Sequence, residues 1–321
     1  MKILMTGATG FIGKHLAARL ARDGYSLVAL VRDRTNAREI LPSGCELFEW
    51  DAARAVPPDA LEGVNGVIHL AGYPVSERRW SAEVKTLIHD TRVLGSRALV
   101  SAIMDRALEG KSLPSVMVSA SAIGFYGDRG EVWLRDGDAP GQGFLSEVCL
   151  GWEGETLNLK LEEWGVRAVA LRTGLVLGAD GGLLAKMIPV FRAGLGGKLG
   201  SGDQWMSWIH VEDLVSVYVE ALENPRYLGA INAVSPEPVR NEEFSDTLAD
   251  VLHRPSWLGL PGWGLRLALG EMGSVIPASQ RVTAEKLQGL GFRFDYRELR
   301  DALARICQRP EPREEDRADA A

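Results

Sequence analysis

Long apolar runs are missing from this chain. No stretch approaches the roughly 18–20 residues of a membrane-spanning helix, so no membrane span is expected. Cysteine is scarce: Cys45, Cys149 and Cys307 lie far apart and are odd in number. Such thiols form neither a disulfide framework nor a zinc motif, and they point to a reduced, cytoplasmic protein. Histidine is scarce as well. Its five positions include no HxxxH pair and no neighbouring cysteine motif, so no metal site is expected. Positive charge is not in excess either. The formal net charge of -7 argues against a general nucleic-acid binder, which needs a basic face, while leaving room for a local basic pocket. The chain opens directly into "KILMTGATG", so no secretory leader is expected.

What is present is the composition of an ordinary globular protein. The 321 residues are 46% hydrophobic and 25% charged, enough for one large domain or a domain plus a lobe. Short apolar runs predict strands at Lys2–Thr6, Leu27–Val31, Cys45–Glu49, Val67–Leu70, Val116–Ser119 and Ala168–Leu171. Helical spacing lies between them near 11–23, 81–104 and 147–164. In the first helix Phe11, Ile12, Leu16 and Leu20 share a face, and Gly24 stops it. The alternation predicts an α/β fold with a doubly wound parallel sheet over residues 1–175. Strands such as "GVIHLAG" and "SVMVSAS" are apolar on both faces, as helices covering both sides require. After residue 175 the chain turns glycine-rich. Helical patterns near 212–222, 241–252, 261–270, 283–289 and 297–307 then predict a smaller, mixed C-terminal lobe over 176–308. The charged tail 309–321 is expected to be disordered.

"MTGATGFIGKHLAARL" carries the sharpest signal. Gly7 permits a tight turn, Gly10 a close backbone approach to a pyrophosphate, and Gly13 close packing of helix on strand. The helix start, from Thr9 and Gly10 through Phe11 and Ile12, offers free N–H groups and a partial positive charge to phosphate.

With those residues in view, "TGATGFIG" resembles the fingerprint of the extended short-chain dehydrogenase/reductase superfamily, which contains the nucleotide-sugar epimerases. "SASAIGFYG", "LRTGLVLG", "GSGDQWMSWIHVEDL", "SPEPVRNEEF" and "SQRVTAEKLQGLGFRF" resemble, more narrowly, an epimerase-like family of uncharacterised oxidoreductases with its own short C-terminal domain, here about 255–305. The resemblance implies a Rossmann domain binding a nicotinamide coenzyme. It leaves a homodimer open, since relatives pair through a four-helix bundle.

The end of the second strand bears on which coenzyme. An acid there would bond the ribose 2′-hydroxyl; this chain has Val31, then Arg32, with Asp33 one step further and expected to face outward. A guanidinium suits a 2′-phosphate, so NADP(H) is favoured over NAD(H). Ligands of such sheets lie outside the carboxyl ends of the strands. That expectation places Leu70, Ala71 and Gly72 beside the coenzyme, with Asp51 near the adenine and Leu175 near the nicotinamide; Ser119 is a further coenzyme-contact candidate. Arg92, where extended relatives carry asparagine, would add a positive contact, and Leu87 would pack nearby.

The resemblance implies a catalytic serine followed by a tyrosine and lysine spaced YxxxK. Ser121, or Ser119, fits the serine. Aligning Glu153 with the usual helix glutamate puts Leu145 and Cys149 at the tyrosine and lysine positions, and neither does acid–base work at neutral pH. Tyr126 offers a phenol, and Glu147 could act as a general base if buried. On the substrate side Met206 replaces an arginine that would hold a diphosphate, which argues against a nucleotide sugar. Trp205, Trp208 and His210 are the candidates to line a more apolar pocket. Two readings follow: an NADP-dependent epimerase-like oxidoreductase acting on a small carbonyl or hydroxyl compound, or a binding module that senses NADPH without turnover.

Overall fold

A computed structural model of the chain describes residues 1–52, 54–271, 273 and 278–308. The expectation of disorder for 309–321 lies outside these residues. Seven strands form one sheet: β1 (Lys2–Thr6), β2 (Ser26–Val31), β3 (Glu46–Glu49), β4 (Gly66–His69), β5 (Val116–Ala122), β6 (Arg167–Thr173) and β7 (Gly229–Ala233). Their spatial order is β7-β6-β5-β4-β1-β2-β3, and every pairing is parallel. The direction of winding reverses between β1 and β4. This opens a crevice at the carboxyl ends of those two strands.

Helices cover both faces, in chain order α1 (Phe11–Arg22), α2 (Arg34–Ile40), α3 (Ala82–Leu108), α4 (Phe144–Thr156), α5 (Leu159–Glu163), α6 (Gly182–Arg192), α7 (Val211–Glu223), α8 (Asn241–Val251), α9 (Gly262–Leu269), α10 (Glu285–Leu290) and α11 (Leu299–Cys307). On one face α1 and α7 bury Leu16, Leu20, Leu214 and Tyr218 against Ile3, Met5 and Val118. On the other α3 buries Leu99 and Ile103 against Leu4, Val67 and Met117. The strands therefore alternate faces but are apolar on both, which is why their sequences read as continuous hydrophobic runs.

Several expectations are corrected. The segment 147–164 is not one helix: α4 begins at Phe144 and ends at Thr156, and Asn158 caps α5 by accepting from Lys160 N at 3.1 Å. An asparagine there competes with helix propagation by bonding its own backbone. The sheet does not end at residue 175, because β7 comes from 229–233 and α7 packs beside α1. The strand "GAINA" is short and begins with glycine, so its sequence carries little strand signal. The glycine-rich stretch hides α6. A Cβ at Gly181 would meet the Phe11 ring at 2.3 Å, and one at Gly178 would meet it at 2.6 Å. These glycines make room for the first side chain of α1 rather than marking a loose loop.

The lobe beyond the sheet has its own core, in which α6, α8 and α11 bury Leu184, Phe191, Phe244, Leu248 and Leu303 around Trp208. It is tied to the sheet domain by short strand pairs: Leu175–Leu177 with Trp208–His210, and Trp133–Leu134 with Arg281–Val282. Among the described residues no helix is long and apolar enough to cross a membrane.

Candidate functional site

The crevice between β1 and β4 is shaped by three glycines. Gly7 has φ +65, and a Cβ there would stand 2.7 Å from the Leu70 carbonyl carbon and 2.8 Å from Ala71 N. Gly10 N donates to Gly7 O at 3.0 Å, which closes the turn. At Gly13 a Cβ would lie 2.1 Å from Gly7 O, so α1 can approach β1 this closely only with glycine there. Gly10 is the N-cap of α1. It has no side-chain cap, and the first turn holds no acid. The unpaired N–H groups and positive end of the helix dipole therefore face the crevice beside Thr9, Phe11 and Ile12. The floor of the crevice is rigid. Thr6 Oγ1 is 2.6 Å from His69 Nδ1 and accepts from Ala71 N at 3.1 Å. Burial pushes His69 down to about 3, so its ring is neutral.

At the β2 end, Val31 is buried and Arg32 is exposed. Asp33 faces away from the crevice because its carboxylate caps α2, accepting from Thr35 N at 2.8 Å and Asn36 N at 3.1 Å. Arg32, Asp51 and Arg54 line a recess of 450 Å³ together with Glu49, Trp50 and Ala55. Arg54 escaped the sequence reading; its only signal is a second cation three residues past Asp51. Beyond β4, Gly72 lies against the guanidinium of Arg92. Leu87 sits 45% exposed one turn before Thr91, whose hydroxyl accepts from Tyr73 N at 2.9 Å. Leu175 is half-buried in the strand that pairs with Trp208–His210, and Ser119 is fully buried.

The acid–base candidates are engaged elsewhere. Ser121 donates to Glu153 Oε1 at 2.6 Å. Glu153 in turn is held by Arg172 through two bonds, Nε to Oε1 at 2.8 Å and Nη2 to Oε2 at 2.7 Å. Both partners are buried. Burial works against the Arg172 charge, but the Glu153 bonds outweigh it and raise its pKa. Tyr126 is completely buried. Its hydroxyl is 2.7 Å from Asn232 Oδ1 and accepts from Arg172 Nη1 at 2.9 Å, and burial pushes the phenol up to about 12. Tyr126 is thus a strut of this network, not an accessible proton donor. Glu147 lies on the exposed face of α4 and fails the condition of burial set for a general base. Helix α4 holds neither tyrosine nor lysine. Its Leu145 and Cys149 pack on the short turn after β5, where a Cβ at Gly124 would lie 3.4 Å from Leu145 Cβ and 3.9 Å from Cys149 Sγ. Burial, then the Glu153 charge, push the Cys149 thiol up to about 11. It is neutral and inert at pH 7.

The three substrate-side candidates also do structural work. Trp208 is fully buried, and its indole donates to Glu237 O at 3.0 Å. Trp205 has the guanidinium carbons of Arg240 and Arg281 each 4.1 Å from its ring centroid, and it donates to Glu131 at 3.0 Å. His210 is the N-cap of α7: Nδ1 accepts from Glu212 N at 3.2 Å, while the ring stacks on Tyr296 at 3.8 Å. Burial holds its pKa near 4. The signal missed in the sequence was Arg172, a cation inside the apolar run "RAVALRT", which requires a buried acid to accompany it. Among the described residues no group of three or more His, Cys, Asp or Glu side chains could hold a metal ion.

Comparison with known proteins agrees with this architecture. Residues 3–233 match the NAD dependent epimerase/dehydratase family, and residues 260–306 match a domain of unknown function, DUF1731. The Arabidopsis thaliana "Epimerase family protein SDR39U1 homolog, chloroplastic" is 42% identical over 316 residues, covering 96% of this chain and 87% of the relative. Bacillus subtilis "Epimerase family protein YfhF" is 36% identical over 307 residues, covering 95% and 98%. The crystal structure of human epimerase family protein SDR39U1 (isoform 2) with NADPH superposes with a TM-score of 0.82 at 27% identity, covering 95% of this chain and 99% of that one.

Two predictions follow from the buried groups. Glu153→Ala leaves Arg172 uncompensated and should lower the unfolding free energy by about 3–5 kcal/mol in urea titrations, whereas a loss under about 1 kcal/mol would contradict a structural role for the pair. His69 is less basic folded than unfolded, so the unfolded chain binds the extra proton. Stability is full above pH 6.5 and should fall as pH drops from 6.5 toward about 3. Thermal melts of His69→Gln across that window should show a shallower decline.

Proposed function

The chain belongs to the NAD dependent epimerase/dehydratase family, and on that premise we propose that it is an NADP(H)-binding, epimerase-like oxidoreductase acting on a small carbonyl or hydroxyl compound. The observation that carries the reading is the glycine cradle. Backbone approaches backbone so closely at Gly7 and Gly13 that no side chain fits, and the uncapped start of α1 faces the space that remains. A dinucleotide diphosphate suits it: bare N–H groups and a helix dipole complement its charge. Gly10, Phe11 and Ile12 would hold the diphosphate, Leu70 and Ala71 the adenosine ribose, and Asp51 the adenine amino group. Arg32 would take the 2′-phosphate. The turn of Asp33 into the α2 cap supports the phosphorylated coenzyme, because it withdraws the carboxylate that would repel a phosphate. NADPH in the human relative supports it further. When bound, the coenzyme would supply or accept a hydride at its nicotinamide ring, and the protein's task is to bind, orient and exclude water.

A second reading, NADPH sensing without turnover, is favoured by one observation. Ser121 and Tyr126 give their hydroxyls to the Glu153–Arg172 network, and α4 has no tyrosine or lysine to replace them. Under the oxidoreductase reading the proton must therefore travel through water in the crevice.

Calorimetric titration tests the coenzyme. NADPH should bind more tightly than NADH, and Arg32→Gln should weaken NADPH by about tenfold, as expected for one charge-assisted phosphate contact, with little change for NADH. Equal affinities in the unaltered protein would rule out the 2′-phosphate assignment. Incubation with stereospecifically deuterated NADPH and a panel of carbonyl compounds separates the two readings. Deuterium in any product supports turnover; label retained throughout, with tight binding, supports sensing.

A further inference from the structure

The C-terminal lobe carries large apolar side chains that the fold leaves in solvent. Trp257 is 74% exposed, Trp263 73% and Leu267 72%, and Leu195, Leu258 and Leu260 are exposed beside them. Trp263 and Leu267 stand four residues apart on α9 and share one helix face, while Gly264 and Leu265 between them are buried. A Cβ at Gly264 would lie 3.1 Å from Leu260 Cδ1, so Leu260 sits against the same helix. The segment before α9 runs along the chain that leaves α6. Leu258 N donates to Gly196 O at 3.3 Å, Leu260 N donates to Lys198 O at 2.9 Å, and Trp257 bridges Gly197. A Cβ at Gly197 would stand 2.6 Å from the Leu258 carbonyl carbon, so the two segments meet backbone to backbone. Scattered apolar residues on a surface are ordinary, but a contiguous group with two tryptophans marks an interaction site.

The charge around this group is mainly positive, although the whole chain carries -7. The stretch 254–270 holds Arg254 and Arg266 and no acidic residue. Arg192, in the last turn of α6, and Arg254 are both exposed, and Arg254 Nε donates to Arg192 O at 2.9 Å, which holds the two residues together. Among the described residues neither pairs with a carboxylate. The acids bordering the group are engaged. Glu242 pairs with Lys198 at 2.6 Å, Glu271 with Lys85 at 2.5 Å, and Asp246 accepts from the Ser256 hydroxyl.

The possible occupants need different things. A small ligand needs a concave wall, and side chains three-quarters exposed project too far to make one. A second copy docked face to face would set Arg192 and Arg254 against their own equivalents across the symmetry axis. An anionic bilayer surface needs what is present. Tryptophan favours the boundary between headgroups and acyl chains, leucine enters the acyl edge, and arginine at the rim meets lipid phosphate.

We propose that α9 and the segment before it form a docking face that seats the protein on an anionic lipid bilayer without crossing it. Trp257, Trp263 and Leu267 enter the interface, and Arg192 and Arg254 bind the headgroup phosphates. The chain leaving the crevice at Gly72 reaches this face, because Arg79 Nη2 donates to Leu267 O at 2.6 Å. The docked face therefore adjoins the crevice. The inference stands independently of the coenzyme reading.

Co-sedimentation with vesicles tests it. The full chain should sediment with vesicles of equal parts phosphatidylcholine and phosphatidylglycerol, and should bind phosphatidylcholine vesicles at least about fivefold less tightly, the loss of one arginine's attraction to the surface. Arg192→Gln combined with Arg254→Gln should erase most of that preference. Trp257→Ser combined with Trp263→Ser should weaken binding to the anionic vesicles by at least about tenfold and leave the melting temperature unchanged, since both rings are exposed. Bromine-labelled acyl chains in the anionic vesicles should quench tryptophan emission of the unaltered protein, a readout that holds if either variant fails to fold. No co-sedimentation, no quenching, or unchanged binding by the folded tryptophan variant would overturn the proposal. A dimer that the tryptophan substitutions dissociate, in protein that ignores both vesicles, would overturn it in favour of self-association.

Discussion

The contact between Gly13 and Gly7 O is the constraint on which the rest depends. With no Cβ at either position, α1 enters within van der Waals distance of the β1 turn. That approach aims the helix axis at the crevice, leaves its first N–H groups unpaired and brings Phe11 out to the glycines at 178, 181 and 182. The C-terminal lobe is positioned by the same act, since those glycines lead into α6 and its core around Trp208. A larger residue at position 13 would push the helix outward and disturb both the crevice and the seat of the lobe.

A second constraint lies beneath the crevice. The Glu153–Arg172 pair joins α4 to β6 and draws in Ser121 from β5, Tyr126 from the turn after it and Asn232 from β7. A buried pair of this kind contributes little net stability, yet removing either partner is expensive because the other stays charged in an apolar interior. It acts as a rivet across the strand ends. The same bonds engage the hydroxyls of Ser121 and Tyr126. The glycine turn that opens α1 thus shares the sheet domain with a buried polar network that does structural work.

Much of this was legible in the chain. The glycine spacing and the apolar runs located β1, α1 and five further strands of the sheet within about three residues, because burial on both faces and close helix packing leave direct traces in residue type. The outward turn of Asp33 was expected from its place one step past Arg32, but the helix it caps was not. Strand β7 was not: "GAINA" is short, and its place in the sheet is decided by pairing with β6, 56 residues or more earlier in the chain. Where Trp205, Trp208 and His210 sit was not legible, because an aromatic residue in a pocket motif and one in a lobe core look alike until the neighbours of the ring are known.

By itself, the sequence determined the α/β class, the glycine turn that opens α1 and the strands that are apolar on both faces, all of which follow from local residue type and spacing. Tertiary structure alone decided which charges are paired. Glu153 and Arg172 find each other from different elements, and Asp33 is withdrawn into a cap. The physical reason is that a charge is defined by its surroundings: burial and distance set whether it is a rivet, a cap or a binding group, and neither quantity is local in the chain.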